Sequence, residues 1–202
     1  DIQALLQGAP SFGNGDLEVD TLGRMLEKSA LDFTARYAGK NGVQPLEIRT
    51  TSVTANVPHG KFVGATPNGR KAWMPLSDGS SPSHGSDRNG PTAVLLSQYQ
   101  STNWNAANRA CRLLNMKMAP KTVEGEEGTK KLVDLIRAFI NLRVWHLQMN
   151  IINRETLVAA QKDPQKYKNL VVRIAGYSAY FVDLSPDLQN DLIDRTEQEN
   201  CD

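Results

Sequence analysis

Apolar residues recur at intervals of three and four along residues 16–38, where Val19, Leu22, Met25, Leu26, Ala30, Phe33 and Tyr37 form one stripe. That spacing predicts an amphipathic helix, with the carboxylate of Asp16 or Asp20 placed to accept the unpaired amide hydrogens of its first turn. Residues 39–45 are predicted to end it. The next run, residues 46–57, is rich in β-branched side chains and reads as a strand. A second helical stripe follows Gly125, made by Leu132, Val133, Leu135, Ile136, Phe139 and Ile140. The period then changes to two. Trp145, Leu147, Met149 and Ile151 alternate with Val144, His146, Gln148 and Asn150, which predicts a strand with one apolar face and one face carrying three polar groups. A short helix is predicted over 155–161 and a turn at Pro164. A strand over 170–174 runs straight into Ala175-Gly176-Tyr177-Ser178. The last predicted helix covers 186–195, with Ser185 as cap and Pro186 in its first position.

Between these elements, residues 58–91 change character. Gly60, Gly64, Gly69, Gly79, Gly85 and Gly90 are interleaved with Pro58, Pro67, Pro75, Pro82 and Pro91. Thr66-Pro67-Asn68-Gly69 has proline and glycine where a β-turn favours them. A structureless stretch of this length inside a compact region is often functional. It contains neither GxGxxG nor GxxxxGK[ST], so it is not a phosphate loop.

Charge narrows the function further. Lys and Arg total 23 against 22 Asp and Glu, a formal charge of +1, which excludes a bulk electrostatic grip on nucleic acid or an anionic membrane. No apolar run is long enough for a membrane span, and the first residues do not read as a signal peptide. Cys111 and Cys201 lie too far apart for a CxxC metal site and make no disulfide framework, so a reducing cytoplasm is expected. The chain opens without Met on Ile2, Leu5 and Leu6 at helical spacing, and is expected to be a piece of a longer protein. No metal site is expected. His59, His84 and His146 have no zinc-like spacing and read as hydrogen-bonded structural residues. Asn14, Asp16, Glu18 and Asp20 imitate a calcium loop, but Val19 stands where such a loop needs glycine, so a helix start is expected instead. Arg70-Lys71 and Lys130-Lys131 read as solvated charge.

A glycine that follows a strand is usually a turn residue. At Gly176, however, the surrounding residues Val172-Arg173-Ile174-Ala175-Gly176-Tyr177-Ser178-Ala179 resemble the C-terminal signature of the glycyl radical enzymes. The continuation Tyr180-Phe181-Val182-Asp183-Leu184, with Gln189, Ile193, Arg195 and Thr196, resembles the family's tail. Further blocks follow the family in order: Asn56-Val57-Pro58-His59-Gly60, Gly64 to Arg70, Leu76-Ser77-Asp78-Gly79, Asn89 to Ala93, Leu114-Asn115-Met116-Lys117, His146-Leu147-Gln148-Met149-Asn150 and Ala160 to Pro164. The resemblance therefore runs through nearly the whole chain.

The chemistry supplies a reason for glycine. A radical on a peptide Cα is stabilised between a donating nitrogen and a withdrawing carbonyl when the carbon flattens into the plane of both peptides. A Cβ opposes that flat, extended geometry. Val171, Val172, Ile174, Tyr180 and Phe181 are the apolar neighbours expected to shield the radical from water and oxygen. The resemblance implies radical storage on Gly176. It assigns Arg173, Ile174, Ala175, Tyr177 and Ser178 to the radical loop and its recognition by the activating enzyme. No bound cofactor is implied; the radical is installed by a separate S-adenosylmethionine and iron–sulfur activating enzyme, then passed to a cysteine upstream of this chain.

The implied fold is α/β, the C-terminal part of a ten-stranded α/β barrel. Residues 1–80 would end the barrel domain and residues 81–202 would form the glycyl radical domain. The implied partners are the activating enzyme, the remaining barrel with its cysteine loop and a second copy in a homodimer, within the cytoplasm. Thr54 and Asn56, on the strand read over 46–57, and Pro58, at the loop that follows it, are expected to face substrate. The blocks at 56–60 and 81–85 look more like the dehydratase, amine-lyase and decarboxylase branch than pyruvate formate-lyase. The expected function is thus the radical domain of an anaerobic lyase, inactive by itself. A stand-alone radical-carrier subunit and a non-catalytic interaction remnant are the alternatives.

Overall fold

The computed structural model describes residues 1–38, 40 and 46–199. The predicted helix stop at 39–45, Lys40 apart, and Cys201 lie outside the described residues. The chain opens with α1 (Ile2–Gly8) and α2 (Leu17–Ala35). Asp16 caps α2, its Oδ1 accepting the amides of Glu18 and Val19 at 3.0 and 3.2 Å, so these acidic residues do start a helix. The strand read over 46–57 is corrected by the structure. Only β1 (Ile48–Thr50) is extended, and a short helix α3 (Asn56–Gly60) follows. Val53, at φ +54°, breaks the strand by entering the left-handed region that a β-branched residue rarely adopts.

The Gly/Pro-rich segment is a series of turns held by specific bonds. Gly69 N–H donates to Thr66 O at 3.0 Å, closing the predicted turn. Arg70 is no free surface charge. Its guanidinium donates to the carbonyls of Met74 (2.7 Å), Lys71 (3.1 Å) and Val63 (3.2 Å), and to that of Gly64. Asn14 ties the far end down: its Oδ1 accepts the amides of Arg88 and Asn89, and its Nδ2 donates to Ser86 O. At Gly79, φ is +57° and a Cβ would lie 2.4 Å from Leu113 O, so only glycine admits that backbone so close.

The segment ends in α4 (Gly90–Gln100), which sequence periodicity missed. Its buried residues include Ser97 and Gln98 as well as Val94 and Leu95, so it carries no simple apolar stripe. Then come β2 (Arg109–Arg112), β3 (Leu114–Met118), α5 (Gly125–Asn141), β4 (Leu147–Ile151) and α6 (Arg154–Lys162). A hairpin of β5 (Val171–Arg173) and β6 (Ser178–Tyr180) leads to α7 (Pro186–Asp194) and β7 (Glu197–Gln198). Ser185 Oγ accepts Leu188 N at 3.4 Å, with Pro186 in the first turn as predicted. Among the described residues the strands form three small sheets: parallel β1–β2, parallel β4-β3-β7 and antiparallel β5–β6.

β3 organises the core. All five of its residues are buried, with side chains alternating between two environments. Leu114, Met116 and Met118 pack with Val94, Leu95, Leu135 and Val144. Asn115 and Lys117 belong to the other face, beside their register partners Gln148 and Asn150 on β4. A second apolar cluster lies on that side, built from Val57, Leu157, Val172, Ile174, Phe181 and Leu192. The glycine hairpin is rooted in it.

Candidate functional site

The hairpin register is Val171↔Tyr180, Val172↔Ala179 and Arg173↔Ser178. Ile174 N–H donates to Tyr177 O at 2.9 Å, which leaves Ala175-Gly176 as the whole connection. This turn takes positive φ at its second central residue, as a type II turn does, and Gly176 supplies it at +82°. An added Cβ there would meet no heavy atom within 4 Å. Glycine is thus required by the backbone and not by lack of space. The flat, extended geometry expected of a Cα radical is not the resting geometry of the closed-shell chain.

The base and tip of the hairpin differ sharply. Val172, Ile174 and Phe181 are buried in the second apolar cluster and Ala175 is buried as well, whereas Gly176, Tyr177 and Ser178 are exposed. The expected shield therefore needs correction. Val172, Ile174 and Phe181 point inward, but strand alternation sends Val171 and Tyr180 outward, at 54% and 49% exposure.

Beneath the tip, the polar face predicted for β4 makes a clamp. Asn150 grips the main chain of Arg173 on both sides, Nδ2 donating to Arg173 O at 2.6 Å and Oδ1 accepting Arg173 N at 2.8 Å. Gln148 Oε1 accepts the Gly176 amide at 2.8 Å and Arg173 Nε at 3.1 Å. Arg173 Nη1 donates to Ser178 Oγ at 3.3 Å, so its side chain spans the hairpin.

The clamp continues into a buried charge cluster. Gln148 Nε2 donates to Asn115 Oδ1 at 2.8 Å, and Asn115 Nδ2 donates to Asp78 Oδ2 at 2.6 Å. Arg195 Nη2 and Nε donate to Asp191 Oδ2 at 2.8 and 3.2 Å, and Nη1 lies 3.6 Å from Asp78 Oδ2 and 3.5 Å from Ile174 O. Asn56 Nδ2 donates to Asp191 Oδ1 at 3.0 Å. Asp78 and Asp191 are each 1% exposed, so the guanidinium of Arg195 is what makes their burial tolerable. Lys117 lies alongside, donating to Ile193 O at 2.9 Å; burial lowers its pKa to about 8. Burial raises the pKa of Asp87, opposed by bonds from Thr196 Oγ1 and from Gln198 Nε2 at 2.7 Å.

Of the residues expected to face substrate, Asn56 is buried, Thr54 half-buried and Pro58 exposed. They stand on a turn and a short helix, not on a strand. Only Asn56 is bonded into the cluster under the hairpin. The reading of all three histidines as hydrogen-bonded also needs correction. His84 Nε2 is 3.6 Å from Asp191 Oδ1, too far for a hydrogen bond while Arg195 takes the other carboxylate oxygen, and His146 Nδ1 is buried without a protein partner. Among the described residues, no three His, Cys, Asp or Glu side chains could hold a metal ion. No helix among them is long and apolar enough to cross a membrane.

Residue-by-residue reading assigned no role to Gln148, Asn115, Asp78, Asp191 or Arg195. Four of the five lie in segments quoted for their family resemblance, and the alternation around residues 144–151 marked Gln148 as polar-faced. Their convergence is tertiary and had no local signal.

The family model described as Glycine radical matches residues 76–182. The chain is 58% identical over 196 residues to isethionate sulfite-lyase of Bilophila wadsworthia, covering 97% of this chain and 24% of that protein. It is 38% identical over 190 residues to trans-4-hydroxy-L-proline dehydratase of Clostridioides difficile, covering 94% and 23%. Among solved structures, glycerol-bound B12-independent glycerol dehydratase of Clostridium butyricum superposes with TM-score 0.88 at 41% identity, covering 98% of this chain and 25% of that one. The chain thus spans about a quarter of the length of these relatives.

Proposed function

The chain belongs to the glycine radical family, and on that premise we propose that it is the radical-storing C-terminal part of a longer radical lyase. The carrying observation is the hairpin itself, a glycine at φ +82° whose amide is held by Gln148 within the family's matched region. A separate activating enzyme, using S-adenosylmethionine and an iron–sulfur cluster, generates a carbon radical that takes one hydrogen atom from Gly176 Cα. Homolysis of that C–H bond leaves one electron on Cα. The stored radical is then refilled by a hydrogen atom from the thiol of an upstream cysteine, which becomes the thiyl radical that attacks substrate. Ile174, Ala175, Tyr177 and Ser178 present the loop to the activating enzyme, and Arg173 holds it.

Residues 1–80 complete a ten-stranded barrel and residues 81–202 form the radical domain; the start of the family match at residue 76 supports that division. The exposed Gly176 is covered by the remaining barrel. The whole enzyme works as a homodimer in the cytoplasm. Asn56, Thr54 and Pro58 border its substrate pocket, and the buried Asn56 Oδ1, which lacks a protein partner, supports that assignment.

The substrate is an isethionate-like hydroxyalkylsulfonate, whose C–S bond is broken with release of sulfite. Identity of 58% to the sulfite-lyase against 38% to the proline dehydratase supports this over dehydration. A free-standing radical carrier is less well supported, because the similarity extends through the first 80 residues.

Anaerobic incubation of the full-length protein with its activating enzyme tests the reading. A doublet in electron paramagnetic resonance is expected, absent in Gly176→Ala, together with sulfite release from isethionate and no dehydration of trans-4-hydroxy-L-proline or glycerol. A full doublet in Gly176→Ala refutes the radical assignment; dehydration without sulfite release refutes the substrate class.

A further inference from the structure

We infer that Gln148 is a positioning residue for the Gly176 radical, setting its electronic structure through the amide nitrogen; this rests on the radical reading above. The orientation of Gln148 follows from its partners. Asp78, facing Arg195 at 3.6 Å, is an acceptor, so Asn115 must turn its Nδ2 toward it, at 2.6 Å. That leaves Asn115 Oδ1 facing Gln148, which must donate Nε2 to it at 2.8 Å. Gln148 Oε1 is then the only end free to meet the hairpin, where it accepts the Gly176 amide and Arg173 Nε. Gln148 and Asn115 are 7% and 8% exposed, so little water competes for the bonds that link Gln148 through Asn115 to Asp78. A buried negative charge thereby fixes which end of a glutamine faces the glycine.

The consequence for the radical is directional. Electron donation from the Gly176 nitrogen is one half of what stabilises an unpaired electron on its Cα. An acceptor drawing on the N–H makes that nitrogen richer in electrons. Spin then spreads from Cα onto nitrogen, and the coupling to the remaining α-hydrogen falls. The same bond restrains the turn, so hydrogen abstraction begins from one backbone geometry. The clamp on Arg173 by Asn150 keeps the turn in register with Gln148.

Gln148→Met and Gln148→Glu, made in the full-length protein, separate this role from simple support of the fold. Both lose the donor to Asn115, so both destabilise. Met also loses the acceptor, whereas Glu replaces it by a charged, stronger one. The α-hydrogen splitting of the doublet should widen in Gln148→Met and narrow in Gln148→Glu. In the unactivated protein, exchange of the Gly176 amide should rise about fivefold in the Met variant, as expected for one hydrogen bond, and stay near the wild-type rate in the Glu variant. Splittings that move together, or stay unchanged in both variants, overturn the assignment while leaving radical storage intact. A wild-type protein with no doublet defeats the reading beneath it instead.

Discussion

The two faces of β3 are built by opposite means. On one, Leu114, Met116 and Met118 pack against α4 and α5, and the order comes from volume and exclusion of water. On the other, Asn115 joins Gln148 to Asp78 beside the Arg195–Asp191 pair and Lys117 donates to Ile193 O, so the order comes from directed hydrogen bonds. Apolar packing has no preferred direction, because many weak contacts around each side chain share the energy. A donor–acceptor chain loses most of its energy when one angle or distance fails. The directional face is the one under the hairpin that carries Gly176, whose Cα is the carbon proposed to store the radical. Stability and placement have been allotted to different sides of a single strand.

Cutting each side should therefore give comparable loss of stability and different loss of order. Arg195→Ala leaves Asp191 and Asp78 buried without their cation and should cost about 3–5 kcal/mol. Met116→Ala opens a cavity on the apolar face, for about 2–5 kcal/mol. Both are read by denaturant unfolding, but only Arg195→Ala should quicken amide exchange at Gly176 under native conditions. Equal acceleration in the two variants would erase the distinction between the faces.

Lys117 gives a pH-dependent version of the same contrast. Its pKa is lowered to about 8 from 10.5, so between those values the unfolded chain binds more protons than the folded one. Stability should rise with pH through that window, by up to about 3 kcal/mol from this group alone. Lys117→Met should remove this rise. A wild-type curve whose slope from pH 8 to 10.5 matches that of the variant would contradict the assignment. The smallest effect is expected at Lys61, whose 2.5 Å pair with Asp187 is largely exposed. Lys61→Ala should change stability by less than about 1 kcal/mol and leave hairpin exchange alone.

The sequence was legible where local chemistry decides structure. Asp16 and Ser185 cap their helices as expected, and the stripe after Gly125 became α5. It misled where tertiary contacts override propensity. β-branched residues at 50–54 suggested a strand, yet Val53 turns the chain and α3 forms despite containing Pro58 and Gly60. α4 was invisible because Ser97 and Gln98 are buried with its aliphatic residues. At the site, the family signature singled out Gly176 for the proposed radical, and the period-two pattern placed Gln148 on a polar face. Nothing local indicated that this face would be the buried one. The path from Gln148 through Asn115 to Asp78 joins segments far apart in the chain, and only the fold brings them together.

The most direct measurement is electron paramagnetic resonance of the activated full-length protein, grown once with ordinary glycine and once with glycine deuterated at Cα. Storage of the unpaired electron on Gly176 predicts a doublet from its single remaining α-hydrogen, collapsing to a narrow singlet on deuteration. A doublet that survives deuteration would place the electron elsewhere and contradict the assignment.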